Sequence, residues 1–213
     1  IRPVLTGASG SRIYIVPHGV LHALPYQALM DGDRFLIERH CISYLSSATE
    51  WRLRASPSGK REEKDKNKNS VCYLFSDPDG TLVHAEREGR GIRGSFSEVR
   101  SFQGPAASEG ALKSLDRLEK TDVLHFIAHA ELNERLPLLS YIQLSPAPGE
   151  DGRLNVHEIM HLDLNVDLVT LSTCRSALGR RTCGDAIIGL GSAFFCSGAS
   201  SVVSTLWRVD DLA

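Results

Sequence analysis

With 213 residues the chain is long enough for one well-cored domain carrying insertions, and residues 1–213 are expected to form a single domain. Its 42% apolar and 23% charged content is that of an ordinary globular protein, and a formal net charge of −2 removes the basic balance that direct nucleic-acid binding draws on. Five scattered cysteines (41, 72, 174, 183 and 196), an odd number without Cys-x-x-Cys spacing, argue against zinc ribbons and disulfide frameworks and favour a reducing, cytoplasmic compartment. No apolar stretch approaches the roughly 18 to 20 residues a membrane helix needs, so no membrane is expected.

In chain order, Arg12 to Val16 reads as a short strand closed by Pro17, and Phe35 to Leu45 as two more strand pieces. The intervening Pro17-His-Gly-Val-Leu-His-Ala-Leu-Pro25 is a shaped loop, in which His18 and His22 serve structure. A short helix is expected over Ser47 to Arg54, and residues 56–70 lack any side chain able to anchor in a core, which makes them a solvated, mobile loop. Beyond it strands and helices alternate. Val71 to Phe75 is a strand, His84 to Phe96 a helix, Val99 to Phe102 a strand, Ser108 to Leu118 a helix, and Val123 to Ala128 a strand. Asp167 to Thr173 is the next strand, Asp185 to Ser197 a Gly- and Ala-rich helix, and Ser201 to Leu206 the last strand. Continuous apolar strands alternating with helices imply an α/β fold whose mostly parallel sheet is covered on both faces.

Two residues carry the chemistry. His129 closes the run Val123-Leu-His-Phe-Ile-Ala-His-Ala130, and Cys174 closes Leu168-Val-Thr-Leu-Ser-Thr-Cys-Arg175. Ends of buried strands are where α/β folds place reactive groups, and the separation leaves room for one loop and a crossover helix between neighbouring parallel strands. A thiol of pKa near 8.5 is mostly protonated at neutral pH, so a nucleophilic Cys174 needs an imidazole such as His129 as general base. Attack on a carbonyl also needs donors for the oxyanion, for which the backbone N–H groups of Ala130 and Cys174 are the candidates.

These residues belong to a wider pattern. Ile13-Tyr-Ile-Val-Pro-His-Gly-Val-Leu-His-Ala-Leu-Pro-Tyr-Gln-Ala-Leu29, the His125 to His129 block, Gly152-Arg-Leu-Asn-Val-His-Glu-Ile159, Leu168 to Gly179, Gly184-Asp-Ala-Ile-Ile-Gly-Leu190 and Val202-Val-Ser-Thr-Leu-Trp-Arg-Val-Asp-Asp211 resemble, in order, the blocks of the CHAT peptidase family, relatives of caspases, separases and gingipains. The resemblance implies a three-layer αβα caspase-like sandwich and a cysteine endopeptidase with a Cys174–His129 dyad, leaving His125 a structural strand residue. It implies a protein substrate, no metal or cofactor, and a tetratricopeptide-repeat region in cis or a regulatory protein partner that gates the site. By analogy with the fold, a substrate side chain is expected near Ser172, Arg175, Asp185, Trp207 and Asp210. The start at Ile1 without Met suggests a piece of a longer chain. The alternative is a catalytically inactive scaffold.

This sequence departs from the family in having Ala130 where glycine is usual and Arg175 where an acidic residue is usual. If the backbone at 130 demanded a positive φ, alanine would cost roughly 1 kcal/mol or more. A rival signature, His157-Glu-Ile-Met-His161, matches the His-Glu-x-x-His zinc spacing, but the segment leaves room for only a short helix from about Val156 to Leu162. Cys183 lies in a polar loop, and Cys196, inside an apolar helix, is expected in the core.

Overall fold

The computed structural model describes residues 11–45, 70–115, 121–133, 135–173 and 183–205, with the backbone alone at 22, 23 and 183–188. The chain divides into two compact units, residues 1–64 and 65–213. In the first, β1 (Arg12–Ile15) pairs in parallel with β4 (Cys41–Tyr44), and β2 (Met30–Asp31) forms a tight antiparallel hairpin with β3 (Arg34–Phe35). Gly32, at φ 69°, supplies the left-handed residue this hairpin needs. The Pro17–Pro25 segment contains a 3-10 turn over Gly19–Ala23. The expected helix over Ser47 to Arg54 and all of the 56–70 loop except Ser70 lie outside the described residues.

The second unit is built on a five-stranded, wholly parallel sheet in the order β12-β11-β7-β5-β6. Its strands are β5 (Val71–Ser76), β6 (Glu98–Gln103), β7 (Thr121–Ile127), β11 (Val166–Ser172) and β12 (Ser201–Ser204). Parallel register sets Phe75 beside Phe126 and Phe126 beside Leu171, so alternate residues of three strands stack on one face. There they pack with Leu112 of α2 (Glu109–Lys113), Ile159 of α3 (Val156–Ile159) and Leu190 and Phe194 of α4 (Cys183–Cys196). The Phe126 ring lies 5.5 Å from that of Phe75 and 5.7 Å from that of Phe194, all three fully buried. Each such ring contributes about 2–3 kcal/mol by leaving water.

The opposite face is covered by α1 (Ala85–Ser95), whose Ala85 and Ile92 pack with Leu74, Ile127, Leu82 and Val99. Acidic Glu86 and Glu88 in its first turn suit the positive end of the helix dipole. Helices on both faces of a parallel sheet make this a three-layer αβα sandwich of the caspase-like kind. The strand order places a topological switch between β5 and β7. From β5 the chain moves outward to β6, and after β7 it moves the other way to β11 and β12.

Three features differ from the sequence reading. The connection from β7 to β11 is not one loop and helix, because it contains β8 (Ala130–Glu131), β9 (Tyr141–Gln143) and β10 (Arg153–Asn155) in an antiparallel sheet, followed by the single turn of α3. Strands of two and three residues are too short to display alternation. Helix α2 spans five residues, capped by the Ser108 hydroxyl on the Ala111 N–H, and residues 116–118 of the expected helix lie outside the described ones. Cys196 is exposed instead of buried: Leu190, Ala193 and Phe194 form the inward stripe of α4, continued by Ser197 just beyond its end, and position 196 falls off it.

Candidate active site

The site grows from the carboxyl ends of β5 and β7, where the strand order reverses and side-chain-lined crevices open in such sheets. β5 ends in Ser76, and the chain turns through Asp77-Pro-Asp-Gly-Thr-Leu82. Asp77 adopts φ 47°, a left-handed conformation that aspartate tolerates better than most residues. Its N–H donates to the Ile127 carbonyl (2.8 Å), and its Oδ1 accepts from the Leu82 N–H (2.9 Å). From outside, the buried Ser145 hydroxyl lies 2.6 Å from the Pro78 carbonyl and 2.8 Å from that of Gly104. The turn is therefore held at both ends and in the middle.

At its tip, the Thr81 Oγ1 donates to Asp79 Oδ1 (2.8 Å), and the Thr81 N–H approaches the same oxygen at 3.3 Å. The same Oγ1 lies 2.8 Å from Nε2 of His129. His129 follows β7 by two residues and is half-buried; its Nδ1 is buried and has no hydrogen-bond partner among the described residues. The imidazole is thus gripped by one nitrogen while the other is left open.

Directly after it, Ala130 pairs with Ile142, and the His129 carbonyl accepts from the Gln143 N–H at 2.8 Å. That bond makes Ala130 and Ile142 a non-hydrogen-bonded pair, so the Ala130 N–H points away from β9, towards the edge of the three-stranded sheet. Its φ is not positive, since Asp77 is the one non-glycine residue with positive φ among those described. The alanine in place of the family's glycine thus carries no left-handed strain.

β11 lies beside β7 with Ser172 opposite Ile127, and the Ala128 N–H donates to the Ser172 carbonyl (3.3 Å). The described part of β11 therefore ends level with β7. Cys174 follows Ser172, as His129 follows Ile127, by two residues. Cys174, Arg175, Trp207 and Asp210 lie outside the described residues, and Asp185 lies in α4 with its side chain undescribed. Ser172 donates its hydroxyl to Glu88 Oε2 (3.0 Å), and Nε2 of buried His125 lies 2.9 Å from Oε1 of the same carboxylate. Glu88 of α1 thereby joins β7 to β11 through polar side chains.

The zinc-like segment does other work. α3 is a single turn, in which Glu158 caps its own helix through the Asn155 N–H (2.9 Å) and reaches Nζ of Lys113 (3.1 Å). The carboxylate that a metallopeptidase uses as base is thus committed to structure. Among the described residues, Glu109, Glu150 and Glu158 alone converge closely enough to hold a cation, and Lys113 Nζ contacts all three at 3.1, 2.7 and 3.1 Å. Burial alone would lower the Lys113 pKa, but the hydrogen bonds it donates to Glu150, Glu158 and Glu109 outweigh it and hold the ammonium above its ordinary value. Burial pushes Glu109 up despite its bond to Lys113. Burial also opposes ionisation of Glu158, but bonds from Asn155 and Lys113 bring it below the usual carboxylate range.

The model of the CHAT domain family matches residues 1–213, the whole of this sequence. The chain belongs to the CHAT family. No curated protein matches it significantly. Membership places the CHAT chain among relatives of the caspase-like peptidases, in agreement with its αβα sandwich and with a histidine at the rim of the central sheet. No helix among the described residues of this CHAT domain is long and apolar enough to cross a membrane. Reading the sequence alone missed Thr81, Asp79 and Glu88. The one signal for the first two is the Asp-Pro-Asp-Gly-Thr turn directly after an apolar strand, a place where parallel sheets carry their functional loops.

Proposed function

We propose that this CHAT domain is a cysteine endopeptidase that cleaves a protein substrate through Cys174 and His129. The His129 imidazole takes the proton from the Cys174 thiol, and the sulfur attacks the scissile carbonyl carbon. The N–H groups of Ala130 and Cys174 hold the resulting oxyanion, each worth on the order of 3 kcal/mol of barrier. Collapse breaks the C–N bond as His129 returns the proton to the departing amine, leaving a thioester on Cys174. A water molecule, deprotonated by His129, then attacks the thioester, releasing the carboxylic acid and restoring the thiol. Ser172, Arg175, Asp185, Trp207 and Asp210 line the substrate side chain's approach in this reading. A repeat region in cis or a regulatory protein gates it, and a cytoplasmic setting keeps the thiol reduced.

One observation carries the reading. His129 stands at the rim of β7 with a buried Nδ1 that has no hydrogen-bond partner among the described residues, beside the strand that leads to Cys174. The test is hydrolysis of a fluorogenic peptide library, with iodoacetamide labelling followed by mass spectrometry. Cys174→Ala and His129→Ala are expected to lose at least about 100-fold in kcat/KM, and Cys174 to label faster than exposed Cys41. A chain that under activating conditions cleaves no peptide and labels Cys174 no faster than Cys41 is an inactive caspase-like scaffold.

A further inference from the structure

We propose that Thr81, backed by Asp79, is the positioning residue that selects the reactive tautomer of His129, so that Nδ1 and not Nε2 is the nitrogen facing the chemistry. The inference rests on the peptidase reading only for what Nδ1 then does.

A threonine hydroxyl has one proton to donate. Here that proton is directed to Asp79 Oδ1 at 2.8 Å, an ionised acceptor that binds it more strongly than a neutral nitrogen would. Oγ1 is left with lone pairs facing His129 Nε2 at 2.8 Å, so the contact is satisfied only if Nε2 carries the hydrogen. In neutral imidazole a proton on Nε2 leaves Nδ1 as the acceptor, and Nδ1 is the buried atom without a partner among the described residues. The opposite tautomer would set two lone pairs against each other at Thr81.

The arrangement also answers what replaces a third catalytic carboxylate. An aspartate bonded straight to imidazole both orients the ring and stabilises the imidazolium. The hydroxyl inserted between Asp79 and His129 orients the ring but passes on less of the charge. Rigidity comes from the turn: the left-handed Asp77, its carboxylate on the Leu82 N–H and Ser145 behind Pro78 hold Thr81 in place before substrate arrives.

The test uses the whole chain with Thr81→Val, which keeps the shape and removes the acceptor, Thr81→Ser, which restores it, and Asp79→Ala, which frees the hydroxyl to rotate. Long-range proton–nitrogen spectra above pH 8 read the His129 tautomer directly, the signal being assigned by its loss in His129→Gln. Wild type and Thr81→Ser are expected to show the Nε2–H form, and Thr81→Val and Asp79→Ala a mixture with Nδ1–H. In hydrolysis, Thr81→Val should lower kcat about 10-fold with KM unchanged, and Thr81→Ser should recover most of it. An Nδ1–H form in wild type, or a Thr81→Val variant with unchanged tautomer and unchanged kcat, overturns the proposal. If Cys174→Ala retains hydrolysis, the peptidase assignment fails while the tautomer spectra still decide the role of Thr81.

Discussion

Nε2 of His125 lies 2.9 Å from a carboxylate oxygen of Glu88, whose other oxygen takes the hydroxyl of Ser172. Four residues before His129, the first histidine of the block is therefore a structural bridge between α1 and the sheet. Glu88→Leu leaves a buried imidazole and a serine hydroxyl without their acceptor, at about 2–3 kcal/mol. The expected fall in Tm is roughly 5–10 °C by calorimetry. His125→Gln should keep the pH profile of kcat/KM, whereas His129→Gln should abolish hydrolysis. Loss of hydrolysis in a folded His125→Gln would count against this division of labour.

Ala130 offers a second test. Because its backbone is not left-handed, glycine there relieves nothing and adds freedom to the unfolded chain. Ala130→Gly is expected to cost about 0.5–1 kcal/mol in urea unfolding and to leave kcat no higher than in wild type. A gain in kcat would mean that the methyl group obstructs the oxyanion site.

The Lys113 cluster predicts a particular pH dependence. Glu158, held below its ordinary pKa, contributes stability above its unfolded value of about 4.3, lost as pH falls through its folded value. Lys113, held above its ordinary pKa, contributes below about 10.4 and loses that as pH rises through its folded value. Glu109 has the opposite sign: its raised pKa penalises the folded state at high pH and is relieved on acidification. Lys113→Met strands buried Glu109 and should destabilise by roughly 3 kcal/mol at pH 7. Denaturation at pH 4 should show a smaller loss, because Glu109 then takes up a proton. An equal loss at both pH values would contradict the cluster's role.

Cysteine reactivity supplies an internal scale. Burial pushes the Cys72 thiol up to about 11, whereas Cys41 and Cys196 are exposed. At pH 8, iodoacetamide should modify Cys41 and Cys196 within the assay and leave Cys72 intact until denaturant is added. Early labelling of Cys72 in the native chain would show that β5 opens.

Much of this fold is legible in the sequence. β7 and β11 are sandwiched between helices, so burial on both faces forces near-continuous apolar runs such as Val123–Ala128, and these can be read directly from the residues. Their ends marked His129 and Cys174 for the same reason. Glu88 and Lys113 were illegible because, read alone, each belongs to a helix whose charges look like a solvated face. Their partners come from β7, β11 and the 150–158 segment, remote in sequence.

The order of side chains along the chain thus determined the strands of the central sheet, the sandwich class and the family, and marked His129 and Cys174 as candidate positions, all of which depend on local periodicity and on motifs a few residues long. Which nitrogen of His129 is held, and by what, was decided by the strand order β12-β11-β7-β5-β6. That order brings a turn 48 residues upstream against the imidazole, and hydrogen bonds act over about 3 Å of space whatever the distance along the chain.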